Sequence, residues 1–184
     1  MTTLSDRNKS ALLIIDVQNG VVGEAHKRDS VVANINLALH NARSAGTLVI
    51  WVQHSDEEMP IGSQAWQIVP ELAPLPDEAR VEKTYRSSFV ATNLSDILAK
   101  GQVSHLYICG AETNNCVRHT THTALELGYD VTLLSDAHTT TAYSWDGHTI
   151  DAQNVIDEQN DNLGHYQLPG ILAQAAPTAS ISFE

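Results

Sequence analysis

Residues 105–136 read HLYICGAETNNCVRHTTHTALELGYDVTLLSD. His105 to Cys109 is a short, mostly apolar run of the kind that lies buried in a parallel sheet. Gly110 interrupts it, and Asn114 and Asn115 are residues that cap helices. From Cys116 onward, Val117, Thr120, Ala124 and Leu127 recur at helical spacing, and Gly128 supplies a left-handed stop. Val131 to Leu134 then reads as a second strand. The stretch is a strand–turn–helix–strand unit whose turn delivers Cys116 to the start of a helix.

That placement has chemical consequences. A thiol at a helix N-terminus feels the partial positive charge of unpaired N–H groups, worth roughly 0.3–1 kcal/mol and up to about 2 when partly buried. At about 1.36 kcal/mol per pKa unit, the dipole alone brings a free cysteine from about 8.5 towards about 7.5. Fuller activation needs a base or a cation from elsewhere in the chain. The same N–H groups suit an oxyanion formed when sulfur attacks a carbonyl. Taken alone, a cysteine here reads equally well as a small buried hydrophobe. Cys109, inside the apolar run, reads that way, and its distance from Cys116 excludes a Cys-x-x-Cys redox pair.

The chain has 184 residues, the length of one domain with a real core, expected to span 1–184. A formal net charge of −12 argues against nucleic acid or an anionic membrane as partner. Two cysteines at dissimilar sites make no disulfide framework, and MTTLSDRNKS lacks the apolar core of a signal peptide. A reducing, cytoplasmic setting is the expectation.

Upstream, Ala11 to Ile15 reads as a central strand ending at Asp16, followed by the polar turn Val17-Gln18-Asn19-Gly20. Ligands of open parallel sheets bind outside the carboxyl ends of the strands, so Asp16 is placed as a site residue or as a turn-capping aspartate. A helix capped by Asp29 or Ser30 carries Val32, Ile35, Leu39 and Ala42 and closes at Gly46. Thr47 to Val52 is the next strand, with Gln53 and His54 at its end; His54 reads as a pocket residue or as a solvated one. Residues 55–89 are irregular and rich in proline, with a short helix predicted over Gly62 to Ile68 and a strand over Ala79 to Lys83. Trp66, Tyr85 and Phe89 offer aromatic walls or plain core. Thr92 caps a helix of Leu94, Ile97 and Leu98, Asp136 ends a strand in a structural role, Thr149 to Leu163 is predicted helical, and Ala179 to Phe183 a final edge strand. Strands alternating with helices predict an α/β fold with a parallel sheet.

Three separated pieces resemble one family, the isochorismatase-like cysteine hydrolases: ALLIIDVQNG with Asp16, VEKTYRSSF with Lys83, and GAETNNCVRHTTHTALELGYDVTLLSDA with Cys116. The resemblance implies a doubly wound sheet of six parallel strands in the order 3-2-1-4-5-6, with helices on both faces. It implies a triad of Asp16, Lys83 and Cys116, and a non-proline cis peptide at Ala111–Glu112 that turns an N–H towards the substrate. The oxyanion would then lie between the N–H groups of Glu112 and Cys116. A homo-oligomer, dimer or larger, is also implied. Retention of Cys116 tilts the expected activity towards a small, partly planar amide, imide or ureido compound, bound among Gln18, His54, Trp66, Tyr85 and Phe89. A vinyl-ether hydrolase, or a binding or thiol-sensing protein on the same fold, stays open. Tyr143 and Trp145 are placed to close the pocket in cis or from a neighbouring subunit.

No G-x-S-x-G elbow and no G-x-G-x-x-G after a strand is present. No metal and no cofactor is expected. Nicotinamidases of the resembling family hold a divalent ion through an aspartate and a histidine two residues on, and here the aspartate position is Val52, which cannot coordinate. Cys116, His119 and His122 form a rival ligand set, but their spacing drifts round a helix.

Overall fold

The computed structural model describes residues 2–183. In chain order the elements are β1 (Lys9–Ile15), a single turn α1 (Asn19–Val22), α2 (Arg28–Ala45), β2 (Leu48–His54), β3 (Ala79–Lys83), α3 (Leu94–Lys100) and β4 (Val103–Ala111). A π-helical turn over Thr113–Val117 leads into α4 (Arg118–Glu126) and β5 (Asp130–Thr139). The hairpin β6 (Tyr143–Trp145) and β7 (His148–Ile150), α5 (Ala152–His165) and β8 (Ala173–Ala176) complete the chain.

Six of the strands form one sheet in the order β3-β2-β1-β4-β5-β8, every neighbouring pair parallel. Counted along the sheet's own strands, this is the expected 3-2-1-4-5-6 winding. β1 shows why its sequence is apolar from Ala11 to Ile15. Leu12 and Ile14 face the layer of α2, with Ile35, Ala38 and Leu39, while Ala11, Leu13 and Ile15 face Leu94 and Leu98 of α3, Ala124 and Leu125 of α4 and Leu163 of α5. A strand covered on both faces has no position for a polar side chain. No helix among the described residues is long and apolar enough to cross a membrane.

Besides the start of α2, which opens at Arg28 with Lys27 at its N-cap and no side-chain cap from Asp29 or Ser30, four expectations need correction. The segment 62–68 is a string of turns, pinned to the continuation of β1 through the carbonyls of Ala65, Trp66 and Gln67. Asn19 and Gly20 donate their N–H groups to Gln67 O and Ala65 O, each at 2.9 Å. Gln18 and Gln53 both donate side-chain amides to Trp66 O. Secondly, residues 149 and 150 belong to the hairpin, whose Asp146-Gly147 turn has φ of 48° and 76°. Such Asp-Gly turns match strand twist; Asp151 then caps α5 by accepting the Gln153 N–H at 2.8 Å. Thirdly, the edge strand lies at Ala173–Ala176 and ends at Pro177. Asp136 Oδ1 accepts from both N and Oγ1 of Thr178, bending the chain into a 3₁₀ turn, which also gives Asp136 its structural role. Finally, Leu127 is exposed, and Leu125 takes its place on the buried face of α4.

Gly110 sits where β4 passes closest to β1. Its φ is +118°, and a Cβ there would stand 2.0 Å from Ile15 O. Gly110→Ala is therefore expected to destabilise the fold by at least about 2 kcal/mol, combining backbone strain with overpacking. Urea denaturation reads it, and an unchanged midpoint would refute the close approach.

Candidate active site

β1, β3 and β4 end at the same edge of the sheet, and the candidate side chains hang from those ends. Asp16 follows β1 with φ of 50°, a left-handed conformation that aspartate tolerates better than most residues, and its N–H donates to Val52 O at 3.0 Å. Lys83 is the last residue of β3, in register with His54 of β2. From there its side chain crosses the end of β2. Nζ lies 2.6 Å from Asp16 Oδ2, 3.2 Å from Cys116 Sγ and 3.5 Å from His54 Nδ1. Asp16 and Lys83 are both buried, so the charges face each other away from solvent. Asp16 Oδ1 has no conventional hydrogen-bond partner, and the carboxylate and the Cys116 thiol perturb one another.

Cys116 stands on the π-turn rather than on a regular α-helical first turn. Glu112 O accepts from the N–H groups of both Asn115 and Val117 at that turn. The Ala111–Glu112 peptide is cis, as the resemblance implied. Glu112 Oε2 accepts from Asn115 Nδ2 at 2.8 Å.

The thiol is not the lowered one that the dipole argument predicts. Burial, and then the neighbouring Asp16 charge, push Cys116 up to about 12, and Lys83 only partly opposes them. Burial also lifts Asp16 above the usual carboxylate range, with the Lys83 ammonium pulling it back. The site at rest therefore holds a neutral thiol beside the buried Asp16–Lys83 pair. Cys109 is buried and inert, its thiol raised by burial alone.

A cavity of about 350 Å³ opens beside this group, lined by Gly20, Val21, His54, Asp56, Glu58, Met59, Ala65 and Glu112. Of the expected pocket residues, His54 lies on it, as does Glu112 of the expected oxyanion site. Gln18 does not: its amide donates to His54 O and Trp66 O and accepts from His54 N, so it clamps the strand end and the long loop together. Trp66 is half-buried beside the lining residue Ala65. Tyr85 is 57% exposed, and Phe89 packs against Tyr129 with ring centroids 6.0 Å apart. Neither aromatic forms a wall, because the turn after β3 aims one outward and the other into the core. Trp145, at 73% exposed, stands out on the hairpin with Tyr143.

Sequence reasoning missed Asp56 and Glu58. The pair Glu57-Glu58 reads as an exposed turn, and only the fold brings the Asp56 and Glu58 carboxylates to the cavity. Asp56 accepts from the Met59 and Glu58 N–H groups, which hold it below the usual carboxylate range, and approaches His54 Nε2 at 3.3 Å. Among the described residues, no three side chains of His, Cys, Asp or Glu gather as a metal-ligand set.

A doubly wound parallel sheet with helices on both faces defines the class: a three-layer α/β protein. The family model for the Isochorismatase domain matches residues 10–167, and the chain belongs to the isochorismatase family. Among its relatives, a streptothricin hydrolase from Streptomyces noursei is 34% identical over 145 residues, 76% of this chain and 58% of that protein's length. A probable inactive nicotinamidase from Arabidopsis thaliana is 33% identical over 178 residues, covering 82% of this chain and 88% of that one. The crystal structure of an isochorismatase from Pseudomonas putida KT2440 superposes with a TM-score of 0.84 at 29% identity, over 97% of this chain and 91% of that one.

Proposed function

We propose that the protein is a cysteine-dependent hydrolase that cleaves the C–N bond of a small amide, imide or ureido compound through a thioester. The observation that carries this reading is the Lys83 ammonium held 2.6 Å from the Asp16 carboxylate and 3.2 Å from Cys116 Sγ. Asp16, made more basic by burial, takes the thiol proton as sulfur attacks the carbonyl, and Lys83 stabilises the negative charge left behind. The N–H groups of Glu112 and Cys116 hold the oxyanion; one such donor is worth about 10²–10³ in rate. Asp16 then gives its proton to the leaving nitrogen and activates the water that cleaves the thioester. No free thiolate is required at rest, which accords with a thiol held near pKa 12. The relative that hydrolyses streptothricin supports a hydrolytic reading.

The test is turnover of a panel of nicotinamide-, carbamoyl-, ureido- and lactam-type compounds, with mass spectrometry of the quenched enzyme. A substrate-derived adduct on Cys116 is expected; no turnover across the panel moves the protein to the binding class. The cavity adds a charge preference. Asp56, Glu58 and Glu112 line it and no lysine or arginine does, so within a matched series the anionic amide is expected to have the lowest kcat/KM, by about tenfold at low salt. Glu58→Lys should narrow that gap, and a preference for the anionic member would overturn it.

A further inference from the structure

The site rests on a second group of polar residues with no direct contact to its chemistry. Thr113, His138 and Thr140 are all buried. Thr113 Oγ1 lies 2.9 Å from His138 Nδ1, and His138 Nε2 lies 3.0 Å from Asn160 Oδ1. Asn160 Nδ2 in turn donates to Ser135 O at 3.0 Å. That last bond fixes the polarity of the chain. With its amide nitrogen on Ser135 O, Asn160 presents its oxygen to the histidine, so Nε2 carries the proton. Nδ1 is then a lone pair, and the Thr113 hydroxyl must donate to it. Burial lowers the imidazole to about 4, which keeps it neutral at ordinary pH.

His138 reaches this place through a defect in the sheet. Along the β4–β5 ladder, Ile108 pairs with Leu133, but the next pair is Gly110 with His138. β5 bulges between those two registers, and bulges re-aim side chains beside active sites. Without the bulge, His138 would not stand opposite the residue two before Glu112. Thr113, at the far end of the relay, is the first residue of the π-turn that carries Cys116 and follows Glu112 directly.

We infer that His138 is a positioning residue: through Thr113 it fixes the Glu112–Val117 turn, and with it the two N–H groups that face the oxyanion. The inference rests on the hydrolase reading for its effect on rate. A core that only needed filling would accept apolar residues at 113, 138 and 160, since a buried polar network gains little stability over hydrophobic packing of the same volume. The network instead runs from α5 through β5 to the one turn whose backbone direction the reaction needs.

Two isosteric substitutions separate the arms. In His138→Asn the amide oxygen takes the place of Nδ1 and can still accept from Thr113. In His138→Gln the amide nitrogen takes the place of Nε2, which keeps Asn160 and loses Thr113. Thr113→Val removes the donor itself. H138Q and T113V are expected to lower kcat about 10–100-fold with KM little changed, as misplacement of a reacting group by about 1 Å does. H138N should stay within about threefold of wild type. Amide hydrogen exchange of the 112–117 peptide, read by mass spectrometry, should rise several-fold in H138Q and T113V and not in H138N. If exchange and kcat follow stability equally in all three variants, the positioning role is overturned. Should the wild type turn over nothing in the panel, the hydrolase reading fails, and the exchange pattern still decides whether His138 holds the turn. T113V, which changes no charge and little volume, keeps the test open if a histidine variant does not fold.

Discussion

Cys116→Ala is expected to lower turnover by at least about 10⁴-fold while leaving the fold in place, since removal of a covalent nucleophile leaves only binding and oxyanion stabilisation. Cys116 is partly exposed, and its sulfur meets only the side chains of Lys83, at 3.2 Å, and Asp16 as polar partners. Its loss should therefore change stability by no more than about 1 kcal/mol. Steady-state rates on any compound found to turn over, and urea denaturation of the same preparations, read both quantities. An alanine variant retaining a tenth of wild-type activity would remove the thioester mechanism.

Lys83→Met is expected to lose activity and to cost about 3–5 kcal/mol of stability, because it leaves the buried Asp16 carboxylate without its cation. Against a typical total of about 5–15 kcal/mol, that is a large fraction. The double variant Asp16→Asn with Lys83→Met should recover most of the stability and none of the activity. Asparagine accepts the φ of 50° at position 16, so the backbone is not the source of any loss. The pH dependence has a definite sign. Burial already raises Asp16, and without Lys83 it rises further. A carboxyl group raised in the folded state costs stability as pH climbs above its unfolded value, so the deficit of Lys83→Met should shrink as pH falls. A deficit that stays constant with pH, or a double variant no more stable than the single, would contradict the buried pair. His138 works in the opposite sense: lowered to about 4 from an ordinary 6.5, it contributes stability that is full above 6.5 and lost as pH falls towards 4.

The parallel α/β class was legible because two-faced burial leaves a plain mark, Ala11 to Ile15 having no polar residue and helix α2 closing at Gly46 with φ of 71°, whereas the order of the strands came from the resemblance. The turn at Cys116 was legible from residue types alone, whereas Lys83 carried no local signal and came from the resemblance. What stayed hidden depends on partners far along the chain. The segment 62–68 is held as turns by Gln18, Asn19, Gly20 and Gln53 through its carbonyls, contacts between residues far apart in the chain that local composition does not announce. The Asp146-Gly147 hairpin signal was present in the sequence and was overridden by the apolar spacing that follows it. Thr113, His138 and Asn160 belong to three elements joined by a bulge, and no periodicity announces a bulge. The state of the Cys116 thiol depended on burial, which outweighs the dipole.

The ladder between strands has a further consequence. Asp16, Lys83 and the turn bearing Cys116 each stand where a strand stops, so their relative backbone positions are set by strand register, through pairs such as Ile15 with Gly110 and His54 with Lys83. The cavity wall contributed by Asp56, Glu58, Met59 and Ala65 belongs to the long connection between β2 and β3, moored to β1 by a few amide contacts. Most of the substrate wall thus lies on a different segment from the buried triad, joined to it by Gln18 and by the His54 contacts to Lys83 and Asp56. Lengthening or redrawing that connection would alter which molecule is admitted without moving the sulfur, the ammonium or the carboxylate, and a scaffold built this way can change its diet while its chemistry stands still.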